Sequence, residues 1–134
     1  MRKLIVGVAL LAVAAVVVPL ALAAGGGSVA VQLKEFKVTP KPTTVKAGRV
    51  TFTVKNTGSL THELVVLKTN VPAAKLPVGA NSRVSERTSV GEAGDVQPGK
   101  TKKVTLALKP GKYVLVCNIA GHYKAGQYAA FTVK

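Results

Sequence analysis

From Val29 to the end of the chain, apolar residues return at every second position in short runs cut by glycine and proline. Val29, Val31 and Leu33 alternate with small or polar neighbours, and Val50, Phe52 and Val54 alternate with Thr51, Thr53 and Lys55. Val104, Leu106 and Leu108 repeat the pattern, and Ala129, Phe131 and Val133 close the chain. Residues two apart share one face of an extended strand, so this period buries one side of a sheet and cannot form a helical stripe. Val, Thr and aromatic side chains suit that half-buried surface. Leu64 to Leu67 and Tyr113 to Cys117 are continuous apolar runs, expected as central strands covered on both faces. Lys46-Ala47-Gly48, Asn56-Thr57-Gly58, Gln97-Pro98-Gly99 and Lys109-Pro110-Gly111 supply the turns. About seven short strands with frequent turns predict an all-β fold, an antiparallel Greek-key β-sandwich. The segment from Thr69 to Val96 lacks sustained alternation. It is expected to be irregular, with one helical turn near Val71–Leu76, and to pack over one side of the sandwich.

The N-terminus has a different character. After Arg2 and Lys3 no charge occurs until Lys34, and Leu4 to Ala24 is almost wholly apolar. Ala21-Leu22-Ala23 has the small-x-small pattern of a signal-peptidase site. Residues 1–24 therefore read as a helical signal peptide or an uncleaved membrane anchor, since about 20 apolar residues can span a bilayer. Either way the positive end stays inside, which makes the remainder periplasmic or extracellular. Residues 25–28 form a Gly-rich linker and residues 29–134 one domain, large enough for a core without staples.

Charge narrows the partners. The chain holds 19 Lys and Arg against 5 Asp and Glu, and omitting Arg2 and Lys3 changes the net charge from +14 to +12. Such a surplus points to an acidic redox protein or an anionic membrane surface. Nucleic acid is not expected, because the basic residues are spread along the chain and only 3 Phe and 3 Tyr are available for stacking.

Gly94-Asp95-Val96-Gln97-Pro98-Gly99-Lys100-Thr101 has the spacing of a phosphate-binding loop. That motif works only where a helix follows, offering its N–H groups to phosphate. Here Lys102 to Leu108 alternate as a strand, so the segment reads as a Pro-Gly turn.

A different run carries the chemistry. Cys117, His122 and Gln127 are spaced Cys-x4-His-x4-Gln between two apolar strands, and His62 stands at the entrance to another. A thiolate, two imidazoles and a weak fourth donor make the trigonal-plus-axial set that suits copper in electron transfer. The only Met is Met1, which leaves the Gln127 amide as the axial candidate. A single Cys excludes an internal disulfide. Glu63 follows His62 directly, so in an extended strand it points the other way, toward solvent or a salt bridge. Asn118 is equally a cross-site hydrogen-bond donor or a loop residue, and Tyr113, Tyr123 and Tyr128 read as packing residues.

Asn56-Thr57-Gly58-Ser59-Leu60-Thr61-His62-Glu63, Gly111 to Cys117 and Gly121-His122-Tyr123 together resemble the blue-copper (cupredoxin) family, in particular its small bacterial plastocyanin- and azurin-like members. The resemblance implies His62, Cys117 and His122 as equatorial ligands of one copper ion cycling between Cu(I) and Cu(II). It also implies a stellacyanin-like axial role for Gln127. Glu63 departs from the asparagine that many members keep there. The expected function is one-electron transfer by a monomer that is not an enzyme, with electrons crossing at His122 among Ala120, Gly121, Ala125 and Lys124. The rival reading is an exported copper carrier or buffer without a redox-shuttle role.

Overall fold

The computed structural model describes residues 25–134. The segment 1–24, read above as signal peptide or anchor, lies outside the described residues. Among the described residues no helix is long and apolar enough to cross a membrane.

Among the described residues nine strands form two sheets. The first contains β1 (Gly27–Lys34), β2 (Lys37–Lys41), β4 (Gly48–Asn56) and β7 (Thr101–Leu108), in the order β2-β1-β4-β7. The second has the order β3-β9-β8-β5-β6, built from β3 (Thr44–Val45), β5 (His62–Lys68), β6 (Ser89–Val96), β8 (Gly111–Val116) and β9 (Tyr128–Val133). Val29, Val31, Leu33, Val50, Phe52 and Val54 face inward from the first sheet, onto Leu64, Val66, Tyr113, Leu115, Phe131 and Val133 of the second. The alternation thus builds the core it predicts.

Three expectations need correction. The sheets are mixed, not purely antiparallel: β1 runs parallel to β4, and β3 parallel to β9. A period of two reports which face a residue occupies and nothing about strand direction. Direction follows from connections that cross between the layers and return. The segment 69–96 also contains a full strand, β6, whose Ser-Val-Gly-Glu-Ala-Gly-Asp-Val sequence buries only Ala93 and Val96. As an edge strand with two register shifts against β5, it buries too little to show a pattern. The strand β1 begins at Gly27, inside the run read as linker. Gly25 and Gly26 lie so close to the Ala47 and Arg49 backbone that a Cβ at either would collide with it.

The rest of the 69–96 excursion has a clear place. It contains a 3-10 helix, Ala73–Lys75, and a bridge between Val78 and Val84. It covers the outer face of the second sheet, where Val65, Leu67, Val84, Val116 and Tyr123 form a second apolar cluster with Leu76, Val78 and Tyr128. The Tyr123 hydroxyl donates to Ala73 O at 2.7 Å and accepts from Leu76 N at 2.9 Å. The strands β5 and β8 are therefore covered on both faces, as their unbroken apolar runs require.

Candidate metal centre

Three turns meet at one end of the sandwich: the β1–β2 turn, the β4–β5 loop and the β8–β9 loop. The last closes with two backbone bonds, Cys117 N to Gln127 O at 3.0 Å and Gln127 N to His122 O at 3.1 Å. Within it Gly121 (φ 84°) and Gly126 (φ 109°) take left-handed conformations that side-chain-bearing residues avoid, which lets the loop coil tightly around His122.

The result is a compact donor cluster. Cys117 Sγ lies 3.4 Å from His122 Nδ1 and 3.9 Å from His62 Nδ1, and the two Nδ1 atoms are 3.3 Å apart. Among the described residues this is the one group of three His, Cys, Asp or Glu side chains whose ligand atoms converge. His62 and Cys117 are fully buried and His122 is partly exposed. Gln127 is fully buried beside them, and neither its Oε1 nor its Nε2 has a hydrogen-bond partner. Leaving a buried amide unmatched costs free energy, about 1–3 kcal/mol for an unsatisfied group. Such a group is expected where an absent partner completes it.

The surroundings act in opposite senses on two of these donors, holding the Cys117 thiol protonated and the His122 imidazole neutral. Burial raises the Cys117 thiol above its ordinary pKa, against a smaller lowering by hydrogen bonds from the backbone of Glu63 and Ile119. Burial, and then the nearby His62, lower the pKa of His122. The Gln127 amide pulls His122 the other way, although it falls short of a hydrogen bond. A neutral imidazole with its lone pair free is the form that binds metal.

Sequence reading missed the residue that holds His62. The β1–β2 hairpin pairs Lys34 with Lys37, leaving Glu35 and Phe36 as its two-residue tip. Glu35 Oε1 sits 2.9 Å from His62 Nε2 and also accepts from Ser59 N at 2.8 Å and Leu60 N at 2.7 Å. These bonds, led by that from Leu60, outweigh partial burial and hold the Glu35 carboxyl at about 2. A carboxylate on the far nitrogen of a ligating histidine fixes the tautomer that leaves Nδ1 free for metal. The available signal was slight: Glu35 is the sole acidic residue before Glu63, in the turn between two alternating runs.

Glu63 does not brace the centre with its side chain. Its backbone N–H donates to Cys117 Sγ at 3.4 Å, at a point where the pairing of β5 with β8 has not yet begun. The side chain is partly buried, and its pKa is raised by that burial and by Glu86 and Glu92. It makes no ion pair, because the one ion pair among the described residues joins His62 to Glu35. Asn118 resolves to a loop role, exchanging hydrogen bonds with Val84 and donating to Glu86 Oε1. Asn56 pins the β4–β5 loop by donating to Leu60 O and Val96 O and accepting from Gly58 N.

Residues 7–129 match the cupredoxin-like domain family. The chain belongs to that family. None of the curated protein sequences compared with this cupredoxin matches it. Among solved structures it is similar to the dithionite-reduced auracyanin of the photosynthetic bacterium Roseiflexus castenholzii, with 23% identity over 81% of this chain and 96% of that one and a TM-score of 0.58. It is also similar to auracyanin A, a "blue" copper protein from Chloroflexus aurantiacus, with 20% identity, 82% and 100% coverage and a TM-score of 0.59. A methionine-to-glutamine mutant of rusticyanin shares 24% identity over 80% of this chain and 78% of that one, with a TM-score of 0.61. At such identities the likeness is one of fold. Within that fold, the His-Cys-His cluster and the unmatched amide beside it fit a single copper ion.

Proposed function

We propose that this cupredoxin is a type 1 (blue) mononuclear copper protein that carries single electrons outside the cytoplasm. His62, Cys117 and His122 are its equatorial ligands and Gln127 its axial ligand. The observation that carries the reading is the convergence of three soft or borderline donors, within 3.9 Å of one another, at one end of a closed core. Copper supplies a one-electron couple there. The protein supplies rigidity: β5 and β8 pair directly and fix His62 relative to Cys117, while Glu35 holds the His62 ring. Burial of His62, Cys117 and Gln127 favours a resident ion over one handed on, so an electron carrier is preferred to a copper carrier or buffer. The set has no further open donor position for substrate, which supports a carrier and not an enzyme.

His122 is the electron port. Phe36 meets its ring edge-on at 5.1 Å and is 40% exposed, while Leu60, bonded through its N–H to Glu35, is 47% exposed. With Ala120 and Ala125 these side chains make a small apolar contact beside Lys124. An acidic redox protein docking there places its cofactor near the His122 edge. The apolar, signal-like segment 1–24 supports export, as a free or membrane-tethered protein.

The test is optical. The copper-loaded protein should show an intense visible thiolate-to-copper band that mild reductant bleaches and oxidant restores. Retention of Cu(I) alone without colour would assign the chain to copper buffering instead.

A further inference from the structure

We propose that the outer face of the four-stranded sheet binds a linear acidic polysaccharide, a function independent of the copper centre. None of its strands contains Asp or Glu, whereas Lys34, Lys37, Lys41, Arg49, Lys55 and Lys103 are all exposed on them. The acidic residues lie elsewhere. Glu35 is held by His62, Glu63 is on β5, Glu86 precedes β6, and Glu92 and Asp95 are on β6. No ion pair neutralises a lysine or arginine of this face among the described residues. This face thus carries positive charge with no acidic residue among its strands.

The registers give the face its shape. One cross-strand row reads Lys41, Ala30, Thr53, Lys103, and the next reads Thr39, Gln32, Lys55, Thr101. Three strand spacings separate Lys41 from Lys103, about 14 Å. The small Ala30 between them opens a shallow concavity of about 420 Å³, lined by Gln32, Thr39, Lys41, Thr53, Lys55 and Thr101 among others. Cations stand at intervals around neutral hydroxyl and amide groups that both donate and accept hydrogen bonds. A chain with one carboxylate per sugar and hydroxyls between offers the complementary pattern. A bilayer is a poorer match, because a flat anionic plane cannot enter a concavity in a twisted sheet. The exposed large apolar residues Leu60, Val71 and Val90 lie off this sheet, and Phe36 only at a hairpin tip, so nothing on the face itself would insert into lipid.

The experiment titrates the full-length copper-loaded protein with polygalacturonate by calorimetry at 50 and 200 mM salt. Dextran serves as a neutral control, and polyphosphate and phosphatidylglycerol vesicles as competing polyanions at equal charge concentration. The variant Lys41→Gln/Lys55→Gln/Lys103→Gln is compared with the charge-matched Lys75→Gln/Lys109→Gln/Lys112→Gln, and an unchanged visible spectrum verifies the fold of each. Binding by the parent is expected, with a loss of about tenfold in the first triple and a shallower salt dependence. The second triple should lose less than about threefold. Equal losses in both triples would reduce the effect to net charge and overturn the proposal. Absence of binding to polygalacturonate, or stronger binding to vesicles or polyphosphate, would overturn it as well.

Discussion

Replacing Gln127 by Met tests both faces of the axial-ligand assignment. In the metal-free protein the amide is fully buried with no partner for either polar atom, which leaves about 1–3 kcal/mol of desolvation unmatched. Methionine has nearly the same volume, so repacking costs less than about 1.5 kcal/mol. The metal-free variant should therefore gain about 1 kcal/mol, a melting temperature roughly 4–8 °C higher for a domain of this size. In the copper-loaded protein the harder amide oxygen favours Cu(II), and a thioether favours Cu(I). A differential of ~2–3 kcal/mol, typical of a hydrogen bond to a charged group, raises the potential on the order of 100 mV, at ~59 mV for each 1.4 kcal/mol. Cyclic voltammetry and calorimetry on loaded and metal-free samples read the two effects separately. A potential and visible spectrum identical to the parent would refute axial coordination, and a lower metal-free melting temperature would show that the amide is satisfied after all.

Cys117→Ser should abolish the visible charge-transfer band while circular dichroism shows the sandwich intact; a retained band would remove the thiolate from the site. Because burial keeps the Cys117 thiol protonated above its ordinary pKa, copper uptake should release a proton near pH 7 and weaken as pH falls, which calorimetry in buffers of different ionisation enthalpy would reveal. The Glu35 carboxyl is depressed from 4.5 to about 2, so its contribution to metal-free stability is present above about pH 4.5 and lost as pH falls toward 2. Glu35→Gln should flatten that acid limb, and acid-denaturation curves that coincide with the parent's would count against the clamp. Association with an acidic redox protein should weaken as salt passes about 0.15 M, where the screening length is near 8 Å; rates indifferent to salt would leave Lys124 and its neighbours without a docking role.

The sandwich was legible because strands such as β1 and β4 bury one face each, and alternation at Val50–Val54 or Val29–Leu33 records that burial directly. Edge strand β6 was not, since a strand with two buried residues in eight leaves no pattern to read. Strand direction was hidden for a related reason: side-chain period is blind to polarity, so the parallel β1–β4 pair could not be told from an antiparallel one. The spacing of Cys117, His122 and Gln127 was visible because a single loop carries all three, and the structure brings His62 to them across β5–β8 pairing. Glu35 reaches the same point through a hairpin tip 27 residues before His62. Its sequence neighbours, Lys34 and Phe36, give no hint of a buried imidazole waiting there.

That hairpin tip ties the beginning of the domain to its end. Glu35 grips His62 from one sheet, while His122 and Gln127 arrive on the final loop before β9. A chain still being made, or one whose two layers have not yet closed, has scattered donors and no cluster. Capacity to hold copper thus appears only when the last contacts of the fold are in place, so metal retention itself certifies a completed molecule. Partly folded chains expose a lone thiol and imidazoles to whatever ions surround them, but they cannot display the colour of the finished centre.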